Sequence, residues 1–556
     1  MGLLTPEPPP YDPLEWAQRP FPERARMACQ SWATQGYGTP IAVYFVYALK
    51  VALYIGGWMA ACAITPTLGG PSEVATWWLH PLAFQKAIVW SALFEVLGLG
   101  CGSGPLTGRY APPIGGALYF LRPGTTRLPL FPRAPLLRGV QRTWLDALLY
   151  LAMLASFVAF LVHPAPGRDV LLPMLAVTAA LGLRDKTILL ATRGEHYLVT
   201  IVVFTFASNW IPGAKAVHLA LWFWAGVSKL NHHFPAVVCV MTSNSPLTKP
   251  LPWLRRAVYR QFPEDLRPSR LAAWMGHAGT ALEFAVPTFL LLGDGGPTTT
   301  IGLALMLLLH GYITSNIPMG VPIEWNFMMV YGGLVLFYGN AHVSLLELDA
   351  PLIGALLVCA LIVVPLVGNL APAKVSFLPS MRYYAGNWAY SIWLFRGESY
   401  RKLDQHLVKS APWVADQLER FYDHATAVGL MGKVMAFRLM HLHGRALHGL
   451  LPKAVDQLDD YEWVDGEILA GLVLGWNFGD GHLHDERLLA AVQAQCGYEA
   501  GELRCIMVEA QPLFGRALTY RIHDARRGLM DAGSVSIAAL RARSPWPPDT
   551  LDERPS

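Results

Sequence analysis

The chain has 556 residues, of which 53% are hydrophobic and only 15% are charged, with a formal net charge of +4. A soluble protein carries about a quarter charged residues, so this composition excludes a wholly soluble chain and indicates a polytopic membrane protein with a polar appendage. The seven cysteines show no CxxC or zinc-ligand spacing, which supports neither a disulfide framework nor a cysteine metal site. We expect no metal and no nucleic-acid partner, and the sequence leaves any cofactor unknown.

The first 40 residues are polar and rich in proline. We expect residues 1–40 to form a cytoplasmic arm without a cleavable signal peptide, because the first apolar run begins only at Ile41. Aromatic and arginine residues mix over 14–30, which fits either an interfacial helix or a loosely ordered segment.

Apolar segments recur between residues 41 and 370, and they predict a helical membrane domain of about ten transmembrane helices. The predicted spans are 41–62, 84–98, 144–162, 170–183, 197–207, 214–229, 271–292, 299–312, 323–338 and 352–370. The long connection 99–143 combines glycine, proline and arginine with apolar residues, so we expect an ordered loop there. Within the second span, Glu95 lies too far around the helix from Lys86 for a direct pair and needs a partner elsewhere.

The distribution of positive charge predicts the orientation of the chain. The connection 99–143, the segment 184–194 and the loop 249–270 are basic and fall on one side of the predicted membrane. The loops on the opposite side contain one arginine, Arg168, and no lysine. Because basic loops stay in the cytoplasm, we expect a plasma-membrane protein with both termini cytoplasmic. The basic loop 249–270 would then lie against anionic lipid head groups of the bilayer.

Residues 371–556 have a mixed composition and are long enough to fold as a cytoplasmic C-terminal α+β domain. The predicted helices are 396–425, 427–451 and 485–495, and the predicted strands are 502–509 and 517–522, with a turn near Gly533. The aromatic segment 383–395 would suit a bilayer interface. This tail could also bind a protein partner.

The most informative stretch is 219–247, in which an apolar helical run ends at Lys229 and is followed by Asn231. An ammonium at the end of a membrane helix is costly unless it is paired, hydrated or used. A desolvated lysine can act as a base, because a low dielectric disfavours its charged form. The alternative is that Lys229 simply extends to the membrane interface, as terminal lysines commonly do.

Polar residues in the later spans complete the candidate site. The acid–base candidates are Lys229, Glu283, His310 and Glu324. The candidate substrate-binding residues are Asn231, Asn316, Trp325 and Asn326. The turn that contains Asn316, Pro318 and Gly320 would either close a polar pocket or form a capped, water-filled turn.

The tail holds a dense polar motif, WNFGDGHLHD, at 476–485. In an extended strand, His482 and His484 would share a face, which permits a metal or acid–base site. The alternative is a glycine-rich turn that caps a helix at Asp485. Three further histidines lie on a predicted amphipathic helix, where we expect surface or membrane-interface positions rather than metal ligation. They are His441, His443 and His448.

Three segments together resemble one family: WFWAGVSKLN at 222–231, LEFAVP at 282–287, and His310 followed by PMGVPIEWNFMM at 318–329. In this order and approximate spacing they resemble the membrane domain shared by vitamin K-dependent gamma-carboxylases and their bacterial relatives. In that family an Ala-Gly-Val-Lys-Lys-Leu stretch supplies the lysine linked to deprotonation of the reduced quinone. Lys229 matches the second lysine, and Ser228 replaces the first. The whole chain, including MRYYAGNW at 381–388, also resembles a family of actinobacterial membrane proteins of unknown function.

The carboxylase resemblance implies a membrane-embedded enzyme that acts on a lipid-soluble or quinone-like small molecule, with Lys229 as the base. Two other classes of function stay open. One is a non-catalytic membrane scaffold whose tail binds a partner. The other is a small-molecule or lipid transporter, since buried carboxylates and histidines suit transport as well. Internal inverted symmetry would favour transport, and none is visible in the sequence.

Overall fold

The computed structural model describes residues 2–100, 115–316 and 322–547. Within these residues the chain is mostly helical and has three parts: an arm, a membrane region and a C-terminal region built on a sheet. The arm contains the helices α1 (Pro13–Ala17) and α2 (Phe21–Gln35).

The membrane region is built from helices of very different lengths. They are α3 (Ile41–Ala63), α4 (Val74–Trp77), α5 (Pro81–Val96), α6 (Gly115–Phe120), α7 (Trp144–Val162), α8 (Arg168–Arg184), α9 (Lys186–Ala191), α10 (Val199–Phe206), α11 (Ile211–Ser228), α12 (Phe234–Asn244), α13 (Pro252–Ala257), α14 (Arg270–Leu292), α15 (Pro297–Ser315), α16 (Ile323–Gly333), α17 (Pro351–Val358) and α18 (Val364–Leu370). Short π-helical segments precede α10, follow α16 and join α17 to α18. A hairpin of β1 (Tyr259–Gln261) and β2 (Asp265–Pro268) lies within the basic loop.

Five helices of the described residues are long and apolar enough to cross a membrane. They are α3, α7, α14, α15 and the continuous helix Pro351–Leu370. These coincide with five of the ten predicted spans, whereas shorter or less apolar helices occupy the other five positions. The five long helices expose apolar side chains such as Phe45, Leu148 and Leu308 on the outside of the bundle, as helices that face lipid do.

Charged side chains inside the bundle have partners from other segments. Lys86 of α5 is fully buried and donates to the carbonyl groups of Ala61 and Leu161, at the C-terminal ends of α3 and α7. Its ammonium therefore satisfies carbonyl groups that a helix end leaves open. Oε1 of Glu95 lies 3.6 Å from Nε of Arg193, which confirms the expectation that Glu95 finds its partner outside its own helix.

The C-terminal region folds around a five-stranded antiparallel sheet in the order β4-β3-β5-β6-β7. The strands are β3 (Tyr390–Arg396), β4 (Tyr461–Asp465), β5 (Leu503–Val508), β6 (Ala517–Asp524) and β7 (Gly528–Ser536). The helices are α19 (Arg401–His406), α20 (Val414–Leu418), α21 (His424–Leu439), α22 (Leu442–Gly449), α23 (Leu451–Ala454), α24 (Gly466–Leu474), α25 (Glu486–Cys496) and α26 (Ile537–Ala542). The predicted α+β character is confirmed, as are the predicted elements now seen as α25, β5 and β6.

Two predicted segments of this region are wrong. The segment 383–395, expected at a bilayer interface, contains β3 in the interior of the sheet, where Trp393 is fully buried. The helix predicted over 396–425 is interrupted, because Gly397 adopts a positive φ of 52° and Pro412 precedes the short helix α20.

The turn predicted near Gly533 is also wrong, since β7 runs through this residue. The surface positions expected for the three helical histidines are wrong as well, because all of them are buried. The ring of His443 packs 4.2 Å from that of Trp388, and His448 stacks on Phe21 of the arm. The helix α22 packs on β3 and β5 of the sheet, and α21 packs on α2 of the arm, which accounts for this burial.

The arm packs against the C-terminal region. Trp32 of α2 is fully buried and its ring lies 5.6 Å from that of Phe437 in α21. Lys433 of α21 donates hydrogen bonds to the backbone carbonyls of Glu7 and Tyr37. One continuous core of buried side chains extends from the arm through the membrane region into the C-terminal region. The three parts therefore support one another.

Two predicted features fall partly outside the described residues. In the expected ordered loop 99–143, residues 101–114 are not described, whereas the rest contains α6 and a bridge between Thr126 and Gln141. In the predicted turn with Pro318 and Gly320, residues 317–321 lie outside the described part of the chain.

Candidate functional site

A cavity of about 410 Å³ lies where the membrane helices meet the C-terminal region. Residues of α11, α12, α14, α15 and α16 form one side, and residues of the C-terminal region close the other. Six of the eight predicted site residues line this cavity. They are Lys229, Glu283, His310, Asn316, Trp325 and Asn326. Segments that are distant in the sequence thus meet in one place.

Lys229 is the C-cap residue of α11, and its Nζ lies 2.7 Å from Oε2 of Glu283 in α14. The two helices approach closely because residue 226 is a glycine, where a Cβ would lie 3.1 Å from the ring of Phe284. The side chains of Lys229 and Glu283 are only 10% and 5% exposed. The ammonium therefore turns into the bundle, towards a carboxylate, instead of extending to the interface.

His310 is held in one neutral tautomer by its two hydrogen bonds. The indole Nε1 of Trp222 can only donate, and it donates to Nε2 of His310 at 2.9 Å. Nδ1 of His310 therefore carries the proton and donates to Oδ1 of Asn326 at 2.8 Å. The amide of Asn326 is oriented by its own donation to the carbonyl of Pro322. Since the lone pair of His310 is already used, this side chain orients the wall and offers no free base.

Asn316 and Trp325 complete the wall at the facing ends of α15 and α16. Asn316 donates to the carbonyl of Tyr312, and its buried Oδ1 has no hydrogen-bond partner within the described ranges. Trp325 donates to Nδ1 of His196 at 3.1 Å, and its ring packs 4.9 Å from that of Tyr383 in the C-terminal region. This part of the wall thus presents one hydrogen-bond acceptor, Oδ1 of Asn316, and one fixed aromatic ring, that of Trp325.

The two remaining predicted residues lie outside the cavity. Glu324 is buried, and its carboxylate pairs with Lys50 of α3 at 3.1 Å. Oδ1 of Asn231 accepts hydrogen bonds from the backbone N–H of Phe514 and from the side chain of Gln511. Both side chains therefore bind other parts of the protein and are not brought to the cavity.

The C-terminal region adds a second ion pair to the cavity wall, which the sequence analysis missed. Nη2 of Arg438 lies 2.6 Å from Oε2 of Glu467, and its Nε lies 2.8 Å from Asp465. Burial lowers the pKa of Arg438, and the charge of Glu467 opposes that shift, so the guanidinium stays charged. An arginine within an apolar helical run was the available signal, because a buried arginine needs a partner.

Aromatic side chains make up much of the wall on the C-terminal side. They are Phe377, Tyr383, Tyr384, Trp388, Phe437 and Phe478. On the membrane side, Leu308 and Tyr312 of α15 line the cavity and are also 63% and 39% exposed. The cavity therefore reaches the outer face of α15, where lipid would lie. Aromatic faces with a few fixed polar groups suit a flat, mostly apolar ligand.

The tail motif forms a capped turn, and its two histidines have separate partners. Asp485 is the N-cap of α25 and accepts a backbone N–H in its first turn, which confirms the capping interpretation. Nε2 of His482 lies 3.1 Å from Glu509, whereas Nδ1 of His484 lies 2.7 Å from Oγ of Ser391. In the part of the chain that the structure describes, no cluster of His, Cys, Asp and Glu side chains could hold a metal ion.

Comparison with known protein families gives a match that covers nearly the whole chain. The model of a family described as transmembrane protein of unknown function (DUF3556) matches residues 1–555. No curated protein and no solved structure matches the chain. The match includes the arm, the membrane region and the C-terminal region.

Proposed function

The chain belongs to this family of transmembrane proteins, and from that premise we propose that it is a membrane-embedded enzyme of carboxylase-like fold. Its substrate would be a lipid-soluble, quinone-like molecule bound in the large cavity. One observation carries the proposal: the three segments on which the carboxylase resemblance rests all contribute side chains to this cavity. The exposure of Leu308 and Tyr312 supports a substrate that arrives from the bilayer.

Lys229 and Glu283 would act together on a proton. In the ion pair, Lys229 is an ammonium and cannot accept a proton. Transfer of one proton from Lys229 to Glu283, whose Oε2 lies 2.7 Å from Nζ, would give a neutral amine and a neutral carboxyl group. The amine can then remove a proton from a substrate hydroxyl, and the new ammonium lies beside the oxyanion it has produced. His310 and Asn326 would orient the substrate ring.

Native mass spectrometry of the purified protein tests whether the cavity is occupied by such a molecule. Gly279 lines the cavity, and a Cβ there meets only ordinary contacts with Phe234, so Gly279→Leu should place its side chain in the cavity. Gly311 in α15 has open space at the Cβ position, so Gly311→Leu is the matched control. We expect the wild type and the control to retain a lipid-soluble molecule, and Gly279→Leu to retain about tenfold less.

An empty cavity in the wild-type protein, or equal retention in both variants, would contradict the proposal. A molecule bound equally in the two variants would lie elsewhere on the protein. In that case the scaffold and transporter interpretations would take precedence.

We also propose that ten segments cross the plasma membrane and that both termini are cytoplasmic. The packing of the arm on the C-terminal region supports an even number of crossings, because the parts that contain the two ends of the chain are in contact. The basic loop 249–270 would lie on the same side, and the hydrogen bond from Arg267 to the carbonyl of Ala542 supports this.

A further inference from the structure

A second cavity, of about 220 Å³, lies between the arm and the basic loop, at the beginning of the first membrane helix. Its polar lining comes from both segments, from α3 and from the last residue of α12. These residues are Gln35, Thr39, Tyr44, Asn244, Lys249 and Arg255. We name it the headgroup pocket.

Two buried donors of the headgroup pocket have no hydrogen-bond partner among the described residues. Asn244 is 7% exposed, and its Oδ1 accepts the backbone N–H of Tyr37 at 2.9 Å. That bond fixes the amide, so the unpartnered Nδ2 carries two N–H donors. Thr39 is 5% exposed, and its hydroxyl is likewise unpartnered. Buried donors in this state are costly unless a ligand or water accepts from them.

The headgroup pocket also contains a buried positive charge, that of Arg255. Arg255 is 8% exposed and donates only to neutral oxygens, those of Thr34, Ser245 and Thr248. Its hydrogen-bond partners in the described ranges are these oxygens alone, and the nearby charge of Glu7 opposes the lowering of its pKa by burial. Lys249 has an ion-pair partner, Glu7 at 3.1 Å, but the lysine side chain of that pair is 48% exposed. An exposed pair of this kind is worth little, so Lys249 can turn to another anion.

The surroundings of the headgroup pocket indicate which anion would bind there. The first membrane helix begins at Ile41, beside the pocket, and its next turns expose Phe45, Val46 and Leu49. Trp253 of the basic loop is 63% exposed. Acyl chains can therefore lie along α3 while a phosphate enters the pocket. We propose that the headgroup pocket binds the phosphate of an anionic phospholipid.

The test uses the full-length protein in nanodiscs of phosphatidylcholine that contain phosphatidylglycerol, with native mass spectrometry to count retained lipids. Asn244→Asp keeps the acceptor for Tyr37 but replaces the N–H donors by a negative charge. Thr39→Val removes only the hydroxyl. Arg260→Gln is the matched control, because this exposed arginine belongs to the same basic loop but does not line the pocket. We expect phosphatidylglycerol retention to fall about tenfold in Asn244→Asp, about threefold in Thr39→Val and not at all in Arg260→Gln.

A second arm offers inorganic phosphate to the protein in pure phosphatidylcholine nanodiscs. The proposal expects no binding of phosphate alone, because the acyl chains contribute part of the affinity. Phosphate that binds without any retained phosphatidylglycerol would overturn the lipid assignment. Equal losses of phosphatidylglycerol in Arg260→Gln and Asn244→Asp would show that the basic loop attracts the lipid diffusely. Unchanged phosphatidylglycerol retention in both Asn244→Asp and Thr39→Val would show that the pocket holds only water. Either result would overturn the proposal, and neither bears on the large cavity.

Discussion

At the scale of single residues, the role of Lys229 depends on whether its proton can leave. Arginine keeps the positive charge and can still pair with Glu283, but it does not lose its proton in a protein. We predict that Lys229→Arg reaches normal levels in the membrane, yet fails to complement deletion of the gene. Once the substrate is identified, its turnover by Lys229→Arg should be at least about a hundredfold slower than by the wild type, as expected for loss of a general base.

The matched control for Lys229→Arg is Lys402→Arg. Lys402 also forms an ion pair with a glutamate, Glu502, but both side chains lie at the surface of the C-terminal region. This variant should complement fully. Full complementation by Lys229→Arg would remove the base hypothesis and favour a scaffold or a transporter.

The pair of His482 and Glu509 makes stability depend on pH. Burial by itself lowers the pKa of His482, but Glu509, Asp480 and Asp485 raise it above its usual value of 6.5. Burial by itself raises the pKa of Glu509, but the hydrogen bond and the charge of His482 outweigh burial and lower that pKa. The stabilisation by His482 is therefore present below pH 6.5 and is lost as the pH rises through its raised pKa. The stabilisation by Glu509 is lost only in acid.

We predict that the melting temperature of the wild type falls more steeply than that of His482→Gln when the pH rises above 6.5. The control is His424→Gln, because His424 forms a similar bond with Glu419 that is largely exposed to solvent and contributes little. Thermal unfolding of the detergent-solubilised protein at several pH values measures the difference. Parallel curves for the wild type and His482→Gln would contradict the prediction.

The sequence was sufficient to find the membrane side of the candidate site and insufficient for the other side. Lys229, Glu283 and His310 were recognisable because charged or titratable groups in apolar helices need a use or a partner. Glu324 meets the same criterion, but it forms an ion pair with Lys50 outside the cavity. Arg438 belongs to the region interpreted as a separate domain, and no local pattern places it beside the membrane helices. Contacts across such sequence distances depend on tertiary packing.

At the scale of elements, β3 shows where interpretation of composition fails. Its aromatic and apolar sequence is typical of an interfacial segment, but six of its seven residues are buried in the sheet. An apolar strand covered on both faces and an interfacial segment have similar compositions, and only the pairing with β4 and β5 separates them. The helices α14 and α15 were predictable because their apolar length is itself the physical requirement.

The position of β3 gives a prediction for the isolated C-terminal region. A soluble fragment of residues 371–556 should melt cooperatively, since it contains the whole sheet. Deletion of 383–395 should abolish cooperative melting, because β3 pairs with both of its neighbours. Circular dichroism during heating measures both fragments, and a cooperative transition in the deleted fragment would contradict this account.

The packing of the arm on α21 can be tested through Gly432. A Cβ at this glycine would lie 2.9 Å from the indole of Trp16, so Gly432→Leu should displace the arm at a cost of about 1–3 kcal/mol. Gly449 ends α22 with open space around its Cβ position, and Gly449→Leu is the control. Limited proteolysis should cleave within residues 1–40 faster in Gly432→Leu only. Equal cleavage in both variants would show that the arm does not depend on this contact.

At the scale of the whole molecule, the number of membrane crossings is constrained by where the ends of the chain meet. Five crossings, the number of long apolar helices in the described residues, would place the two termini on opposite sides. The arm nevertheless packs on the C-terminal region through Trp32 and Phe437. This contact supports the proposed even number of crossings, and ten is reached if the shorter helices at the other predicted positions also cross. Their polar residues are compatible with crossing because partners such as Arg193 for Glu95 are buried with them.

Epitope tags at both termini and after Asp294 test this topology. Asp294 lies in the connection between α14 and α15. In the proposed topology this connection would be outside the cell, and the termini would share the side of the basic loop. We predict that antibodies bind the tag after Asp294 in intact cells and reach the terminal tags only after permeabilisation. Membrane abundance of each tagged protein serves as the control. Binding to a terminal tag in intact cells would contradict the cytoplasmic assignment, and binding to only one of the two would contradict the even number of crossings.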